Sequence, residues 1–345
     1  MHFGMLWSLR NPPAYGRSLA DLYRDTLEEI VYAEALGYHA VWLTEHHFKD
    51  DDYLPSVMPV LGAIAARTTR VRIGPYVLLM PFHHPVRLAE DAAVVDVLSG
   101  GRLDLAIGVA YMPDEFDGFA IDRRTRGRRH EEGTQILLGA WGDEPLEHHG
   151  QLFDFSGVPV TPKPVQRPIP IYLGGTSRPV LERVARLGVR GVAGRPSADD
   201  MPFLLEKLAE HGRDPASVEY LPFRFLWVDR DHERARRVAT PYVEWIVGNY
   251  QRWHGASEIP LYQGDINRHC IMGSPEYCIE RIEDFLARGA HAPIEQLIIQ
   301  PPLLGIDHAE SMRMLETFAT EVMPHFAQTK AASRAANASG ASSGP

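Results

Sequence analysis

A (β/α)8 barrel is the fold class this sequence predicts, and three observations carry the prediction. Apolar, strand-like runs alternate with helical stretches roughly eight times along one chain of 345 residues. No break in composition divides them into two domains, and no GxGxxG follows the first strand. The last point weighs against a doubly wound open sheet, the structural alternative. With 45% hydrophobic and 23% charged residues the chain has ample material for a core, and barrels of this length commonly form one domain.

In order, Phe3 to Leu9 is a short apolar strand, and Leu19 to Leu36 has helical spacing that stops at Gly37. Ala40 to Leu43 is the second strand, with a helix near Val57 to Arg67. Val71 to Met80, rich in β-branched and apolar residues, predicts a buried third strand. A helix from Val86 to Leu98 ends at Ser99-Gly100-Gly101, and Leu103 to Ile107 is the fourth strand. A charged amphipathic helix follows over Arg123 to Trp141. Ile169 to Leu173, Val189 to Ala193, Tyr220 to Val228 and Ile294 to Ile299 supply strands five to eight. The helices among them cover Pro179 to Leu187, Met201 to His211, Asp231 to Trp253, Pro275 to Arg288 and Ala309 to Phe326.

Two insertions interrupt the rhythm. After strand 4, His148 to Pro168 has turn and proline signals that predict a hairpin and an extended arm over a barrel rim. After strand 7, Gly255 to Ser274 has no clear periodicity. Loops of this size on a barrel often act as lids. The expected domain is 1–327. The Ala/Ser/Gly-rich tail at 328–345 has too little apolar surface to order itself and is expected to be disordered.

A net charge of -10 argues against nucleic acid and anionic membrane as partners, because both select clustered cations. Cys270 and Cys278 are too few for a disulfide scaffold and too far apart for CxxC, so a reducing cytoplasm is expected. Met1-His2-Phe3-Gly4 lacks the regions of a signal peptide, and no apolar run is long enough to span a bilayer.

The chemistry concentrates at strand ends. Val41-Trp42-Leu43-Thr44-Glu45-His46-His47-Phe48 is an apolar run that stops at a carboxylate and two imidazoles. In a barrel, the carboxyl ends of strands carry the active site. Alternation along a strand sends adjacent side chains to opposite faces, which predicts one imidazole in a pocket and one packed behind it. A hydrogen-bonded structural pair is an equally good account of these histidines. A metal site that adds His83-His84 lacks HxH or HExxH spacing and ranks low; no metal is expected. Gly174-Gly175-Thr176-Ser177, between a strand and a helix, suits an anion, since glycine lets backbone N–H groups approach and a helix amino terminus adds positive potential. Glycine turns before helices are also routine punctuation. Gly108-Val109-Ala110-Tyr111 with Glu115-Phe116, and Pro81 to Arg87, are apolar and aromatic segments suited to a flat heterocycle.

Together these segments resemble the bacterial luciferase-like flavin monooxygenases. The matching stretches are the Phe3-Gly4 strand, VWLTEHHF, RIGPYVLLMPFHHPVRLAEDAAVVDVLSGGRLDLAIG, YMPDEF, IYLGGTS, GSPEYCIERIEDFLARG and ETFATEVMPHF, in order from about Met1 to Phe326. The resemblance implies a dimeric barrel that binds reduced FMN or, in one branch, a deazaflavin. It implies that His46 handles protons while FMNH2 and O2 form a C4a-(hydro)peroxyflavin and oxygenate a small, largely apolar substrate. It places a cis non-prolyl peptide behind the flavin ring, at Tyr76-Val77 here. Val109, Tyr111, Gly174, Gly175, Thr176, Ser177 and Arg195 are then further cofactor contacts, and Trp7, Glu45 and His84 border the substrate.

Two positions depart from bacterial luciferase: Val109 replaces an arginine that contacts the flavin phosphate, and Gly175 replaces a glutamate. The phosphate would then depend on Gly174 to Ser177, with Arg178 or Arg195. Glu45-His46-His47 favours FMN over the deazaflavin branch. No nucleotide-binding fingerprint is present, so the resemblance implies a separate NAD(P)H:flavin reductase. Deazaflavin-dependent hydride transfer, a non-catalytic flavin-binding protein and a metal-dependent hydrolase are the alternatives.

Overall fold

The computed structural model describes residues 1–254, 270–301 and 305–327; the expected tail at 328–345 and most of the second insertion, 255–269, lie outside them. The strands are β1 (His2–Trp7), β2 (Ala40–Leu43), β3 (Arg72–Pro75), β4 (Leu78–Leu79), β5 (Leu105–Gly108), β6 (Leu146–His149), β7 (Asp154–Val158), β8 (Ile171–Gly174), β9 (Gly191–Ala193), β10 (Glu219–Tyr220), β11 (Phe223–Val228), β12 (Cys270–Gly273) and β13 (Gln296–Gln300). The helices are α1 (Leu19–Leu36), α2 (Val57–Arg67), α3 (Pro85–Ser99), α4 (Pro113–Gly118), α5 (Arg126–Ala140), α6 (Arg178–Leu187), α7 (Met201–Glu210), α8 (His232–His254), α9 (Pro275–Arg288) and α10 (His308–Thr317).

All pairings are parallel except the β6–β7 hairpin, in the orders β12-β11-β13-β1-β2-β3 and β10-β9-β8-β5-β4. The two sheets meet where two strands are interrupted. β3 and β4 flank Tyr76–Val77, whose peptide bond is cis. Across this seam Asp104 N–H donates to the Ile73 carbonyl at 2.9 Å, and Leu78 pairs with Ile107. β10 and β11 flank Leu221-Pro222, where Leu221 N–H donates to Val192 (2.9 Å) and Ile298 N–H to Pro222 (3.0 Å). The result is the (β/α)8 arrangement of parallel strands inside helices.

Strand parity sets what faces inward. On β1, Phe3, Met5 and Trp7 join the large core between strands and helices, whereas Leu6 joins the small cluster inside the barrel with Ala40, Trp42, Ala106, Tyr172 and Ile298. The Trp42 indole fills that interior because glycines face it. A Cβ on Gly74 would lie 2.9 Å from the indole and 2.1 Å from the Asp104 carbonyl, and one on Gly4 would lie 2.9 Å from Trp42 Nε1. Polar pairs line the amino-terminal mouth, with Arg72 Nε donating to Asp104 (2.5 Å) and Tyr172 OH to Glu219 (2.7 Å).

Three expectations change. The first insertion does form a hairpin, but it packs outside the barrel, Phe153 and Phe155 against His84, and lines neither lobe of the cavity described below. Residues 270–273 of the second insertion are a buried strand, β12, paired with β11. Cys270-Ile271-Met272 is too short an apolar run to announce itself by periodicity. The short helix α4 was not expected either, and it supplies the residue that most alters the reading of the site.

Candidate active site

At the carboxyl ends of the strands lies a cavity with two lobes of about 380 and 580 Å3, which share Tyr76, Val77, Leu79, Tyr111, Gly175 and Phe223. Parity selects much of the smaller lobe. The inward series Gly4, Leu6 of β1 continues into Ser8 and Arg10, and Ala40, Trp42 of β2 continues into Thr44 and His46; Leu6, Ser8, Arg10, Thr44 and His46 all line it. Gln300, Tyr53, Phe225 and Tyr250 complete its wall.

The two imidazoles part as alternation requires. His46 lines the lobe, and its Nδ1 lies 2.8 Å from Glu115 Oε1. Glu115, in the first turn of α4, is fully buried; the same oxygen accepts the His47 backbone N–H at 2.9 Å, and Oε2 has no partner. A carboxylate on Nδ1 holds the proton there and leaves Nε2 as the ring's acceptor. Nε2 lies 3.3 Å from Tyr111 OH. His47 turns the other way, edge-on to Phe82 and Phe119, and its Nε2 lies 2.8 Å from Glu45 Oε1.

Glu45 borders the lobe, but its carboxylate is turned behind the wall. It also receives His83 Nε2 at 2.9 Å and the Leu79 N–H at 3.1 Å. Burial alone raises its pKa, yet the charge of His83 and the hydrogen bonds from His47 and His83 outweigh burial and bring it down to about 2. Glu45 is therefore an ionised brace between the ends of β2 and β4. Among the described residues, no group of three or more His, Cys, Asp or Glu is placed to hold a metal ion.

The larger lobe is lined by Val77, Leu79, Gly108, Val109, Ala110, Gly174, Gly175, Thr176, Gly194 and Arg195. Gly108 and Gly174 admit Val77, whose methyls would lie 2.6 and 3.0 Å from a Cβ at those positions. Gly175 has φ +97°, a left-handed conformation that glycine adopts without strain. Arg195 is half-buried against α9 and the turn that follows it, donating to the Ala292 (3.0 Å) and Phe285 (3.1 Å) carbonyls. Arg224 of β11, a residue the sequence reading passed over, lines the same lobe.

Four expected residues lie elsewhere. Trp7 shares the parity of Phe3 and Met5, so it is buried outside the barrel and donates from Nε1 to Glu29 of α1 at 2.9 Å. His84 is the exposed N-cap of α3, and His83 reaches Glu45 in its place. Ser177 is exposed at the amino terminus of α6 and does not line the lobe. Arg178 is exposed, pairs with Asp200 at 3.7 Å and lies over Phe203.

This geometry fits a flat, amphipathic cofactor with an anionic end. Apolar faces at Val77, Leu79, Val109 and Phe223 would hold a ring, and the glycine turn and two guanidiniums line the same lobe.

The chain belongs to the luciferase-like monooxygenase family, whose model matches residues 1–292. It is 26% identical to 4-hydroxyprotoasukamycin monooxygenase of Streptomyces nodosus subsp. asukaensis over 94% of this chain and 92% of that one. With the uncharacterized protein y4wF of Sinorhizobium fredii it shares 36% identity over 52% of each chain. With the oxygenase component of the flavin-dependent trigonelline monooxygenase of Acinetobacter baylyi it shares 31%, over 43% of this chain and 42% of that one. In these last two matches the chain spans about half the relative's length or less. Among solved structures, monooxygenase RslO1 from Streptomyces bottropensis superposes with a TM-score of 0.80 at 26% identity, over 94% of this chain and 100% of that one. The fold is also that of the oxygenating constituent of 3,6-diketocamphane monooxygenase from Pseudomonas putida in complex with FMN (TM-score 0.74, 18% identity, 94% and 98% covered). It is likewise that of a coenzyme F420-dependent tetrahydromethanopterin reductase from Methanopyrus kandleri (0.70, 21%, 94% and 99%).

Proposed function

We propose that this chain is the oxygenase of a two-component flavin monooxygenase. It would hold reduced FMN in the larger lobe and a small, largely apolar organic substrate in the smaller one. The observation that carries the reading is the Glu115–His46 pair, fully assembled and buried at the wall of the substrate lobe, beside Tyr111, which lines both lobes.

Bound FMNH2 would supply the electrons that activate O2. Val77, Leu79 and Val109 would hold the ring, and Gly174, Gly175, Thr176 and Arg195 the ribityl phosphate end. His46 would take or return a proton at Nε2, because Glu115 holds the Nδ1 proton. Tyr53, Phe225 and Tyr250 would exclude water around the substrate, while Ser8, Thr44 and Gln300 offer it hydrogen bonds.

A separate NAD(P)H:flavin reductase and a cytoplasmic location belong to the same reading. The first is supported by the trigonelline relative being an oxygenase component, the second by two buried free cysteines. A homodimer is also proposed; α3 exposes Val94, Val97 and Leu98 along one stripe, and sedimentation measures the assembly.

The test supplies FMNH2 from a flavin reductase and labelled O2, and screens small aromatic and aliphatic substrates for label in the product. His46→Ala should lower incorporation by roughly two to four orders of magnitude with FMN affinity nearly unchanged. Preferential binding of F420, with hydride transfer and no labelled product, would overturn the reading in favour of the deazaflavin alternative.

A further inference from the structure

We propose that Arg224 and Arg195 together anchor the cofactor's phosphoryl group, so that the larger lobe distinguishes a phosphorylated flavin from riboflavin, with Arg224 the stronger contributor. This rests on the flavin reading above.

The sequence around Arg224, Phe223-Arg224-Phe225, alternates. Phe223 packs against the interior cluster and Phe225 lines the substrate lobe, so parity turns Arg224 outward, toward α9. Its guanidinium carbon lies 4.1 Å from the centre of the Phe285 ring, and the guanidinium carbon of Arg195 lies 4.5 Å from the same ring. Gly289, just after α9, makes room for the second cation, since a Cβ there would fall 1.7 Å from Arg195 Nη1.

Two cations thus share one aromatic ring in the wall of the lobe, and neither forms an ion pair with a carboxylate among the described residues. By contrast, Arg10 of the smaller lobe is paired with Asp51 at 2.5 Å, and the exposed Arg178, outside both lobes, with Asp200 at 3.7 Å. Burial and then the charge of Arg195 push the Arg224 guanidinium down to about 10. Uncompensated like charges in a half-buried site are unfavourable, and an anion bound between them would remove that cost.

The donors decide their relative weight. Arg195 directs Nε to the Ala292 carbonyl, past the end of α9, and Nη1 to the Phe285 carbonyl in its last turn. Arg224 directs only Nη1, to the Phe223 carbonyl at 2.7 Å, which leaves most of its planar fork for phosphoryl oxygens. Val109 brings no charge to the lobe, and Arg178 is turned away.

The experiment titrates oxidised FMN and riboflavin separately into the full chain and follows flavin fluorescence, with thermal unfolding as a control for folding. Arg224→Met should weaken FMN binding roughly 10- to 100-fold and leave riboflavin within about twofold. Arg224→Lys should restore part of the loss as a point charge, and Arg195→Met should cost less than Arg224→Met. If Arg224→Met does not fold, Arg224→Gln makes the same comparison. FMN affinity unchanged, or riboflavin affinity lowered in parallel, would overturn the anchor while leaving the flavin reading intact. If the wild-type chain instead prefers F420, loss of F420 affinity in Arg224→Met upholds the anchor although FMN fails. Wild-type chain that binds none of the three overturns both.

Discussion

Replacing Glu115 separates two things a carboxylate does for a histidine: orienting it and charging its partner. In the wild type, Glu115 Oε1 accepts both His46 Nδ1–H (2.8 Å) and the His47 N–H (2.9 Å), and Oε2 is bare. Glu115→Gln can place its carbonyl oxygen where Oε1 stands and keep both bonds, so the tautomer survives while the charge is lost. A hydrogen bond to a charged group contributes about 1.5–3 kcal/mol and a neutral one about 0.5–1.5, so roughly 1–1.5 kcal/mol of support disappears, about five- to fifteen-fold in turnover. The amide N–H2 then occupies the bare Oε2 position with no acceptor, which lowers stability by about 1–3 kcal/mol. Glu115→Ala removes the orientation as well. The ring is free to carry its proton on Nε2, and turnover should fall by about 10²–10⁴. The assay is steady-state product formation on a substrate found by the labelled-O2 screen, with FMN affinity and urea midpoints measured alongside. Glu115→Ala within about twofold of wild type would refute the dyad. Equal losses for Ala and Gln would refute a separate role for orientation.

Three further outcomes are expected. The Glu45 carboxyl has a folded pKa of about 2 against an ordinary 4.5. Its stabilisation is therefore complete above pH 4.5 and is lost as pH falls through about 2. By linkage the wild type should lose about 3 kcal/mol more than Glu45→Gln across that window in acid-dependent urea unfolding, and identical acid profiles would contradict the brace. Gly74→Ala should destabilise by about 3 kcal/mol or more, because its Cβ would meet the Asp104 carbonyl at 2.1 Å and backbone yields little. Gly62→Ala, mid-α2 with nothing within 4 Å, should stabilise by up to about 1 kcal/mol; chemical denaturation of both variants checks the pair.

Much of the barrel was legible because strands buried on both faces are continuous apolar runs, and helices stop at glycine. Ala40–Leu43 and Leu19–Leu36 emerge with the expected bounds. The third and seventh apolar runs are continuous in sequence, yet each strand is broken, at Tyr76–Val77 and at Leu221-Pro222. Pro222 was a visible sign that the ladder lacks a donor there. The alternation that separates His46 from His47 also assigns Trp7 to the outer face with Phe3 and Met5, away from the substrate position that the resemblance implies for it. The same parity, carried past the end of β1, would have found Ser8 and Arg10.

By itself, the sequence determined the periodicities, the family and the strand-end motifs, because these are local properties of neighbouring residues. Only the tertiary structure decided which distant groups meet. Glu115 reaches His46 from 69 positions along the chain, and His83 reaches Glu45 from 38. Arg195 and Arg224 converge on Phe285, which belongs to a helix neither precedes directly. The physical reason is that hydrophobic patterning specifies which face of a strand or helix is buried, and many partners would satisfy that demand. A hydrogen bond or a shared ring needs atoms within a few ångströms, and that distance exists only once the barrel has brought the strand ends together.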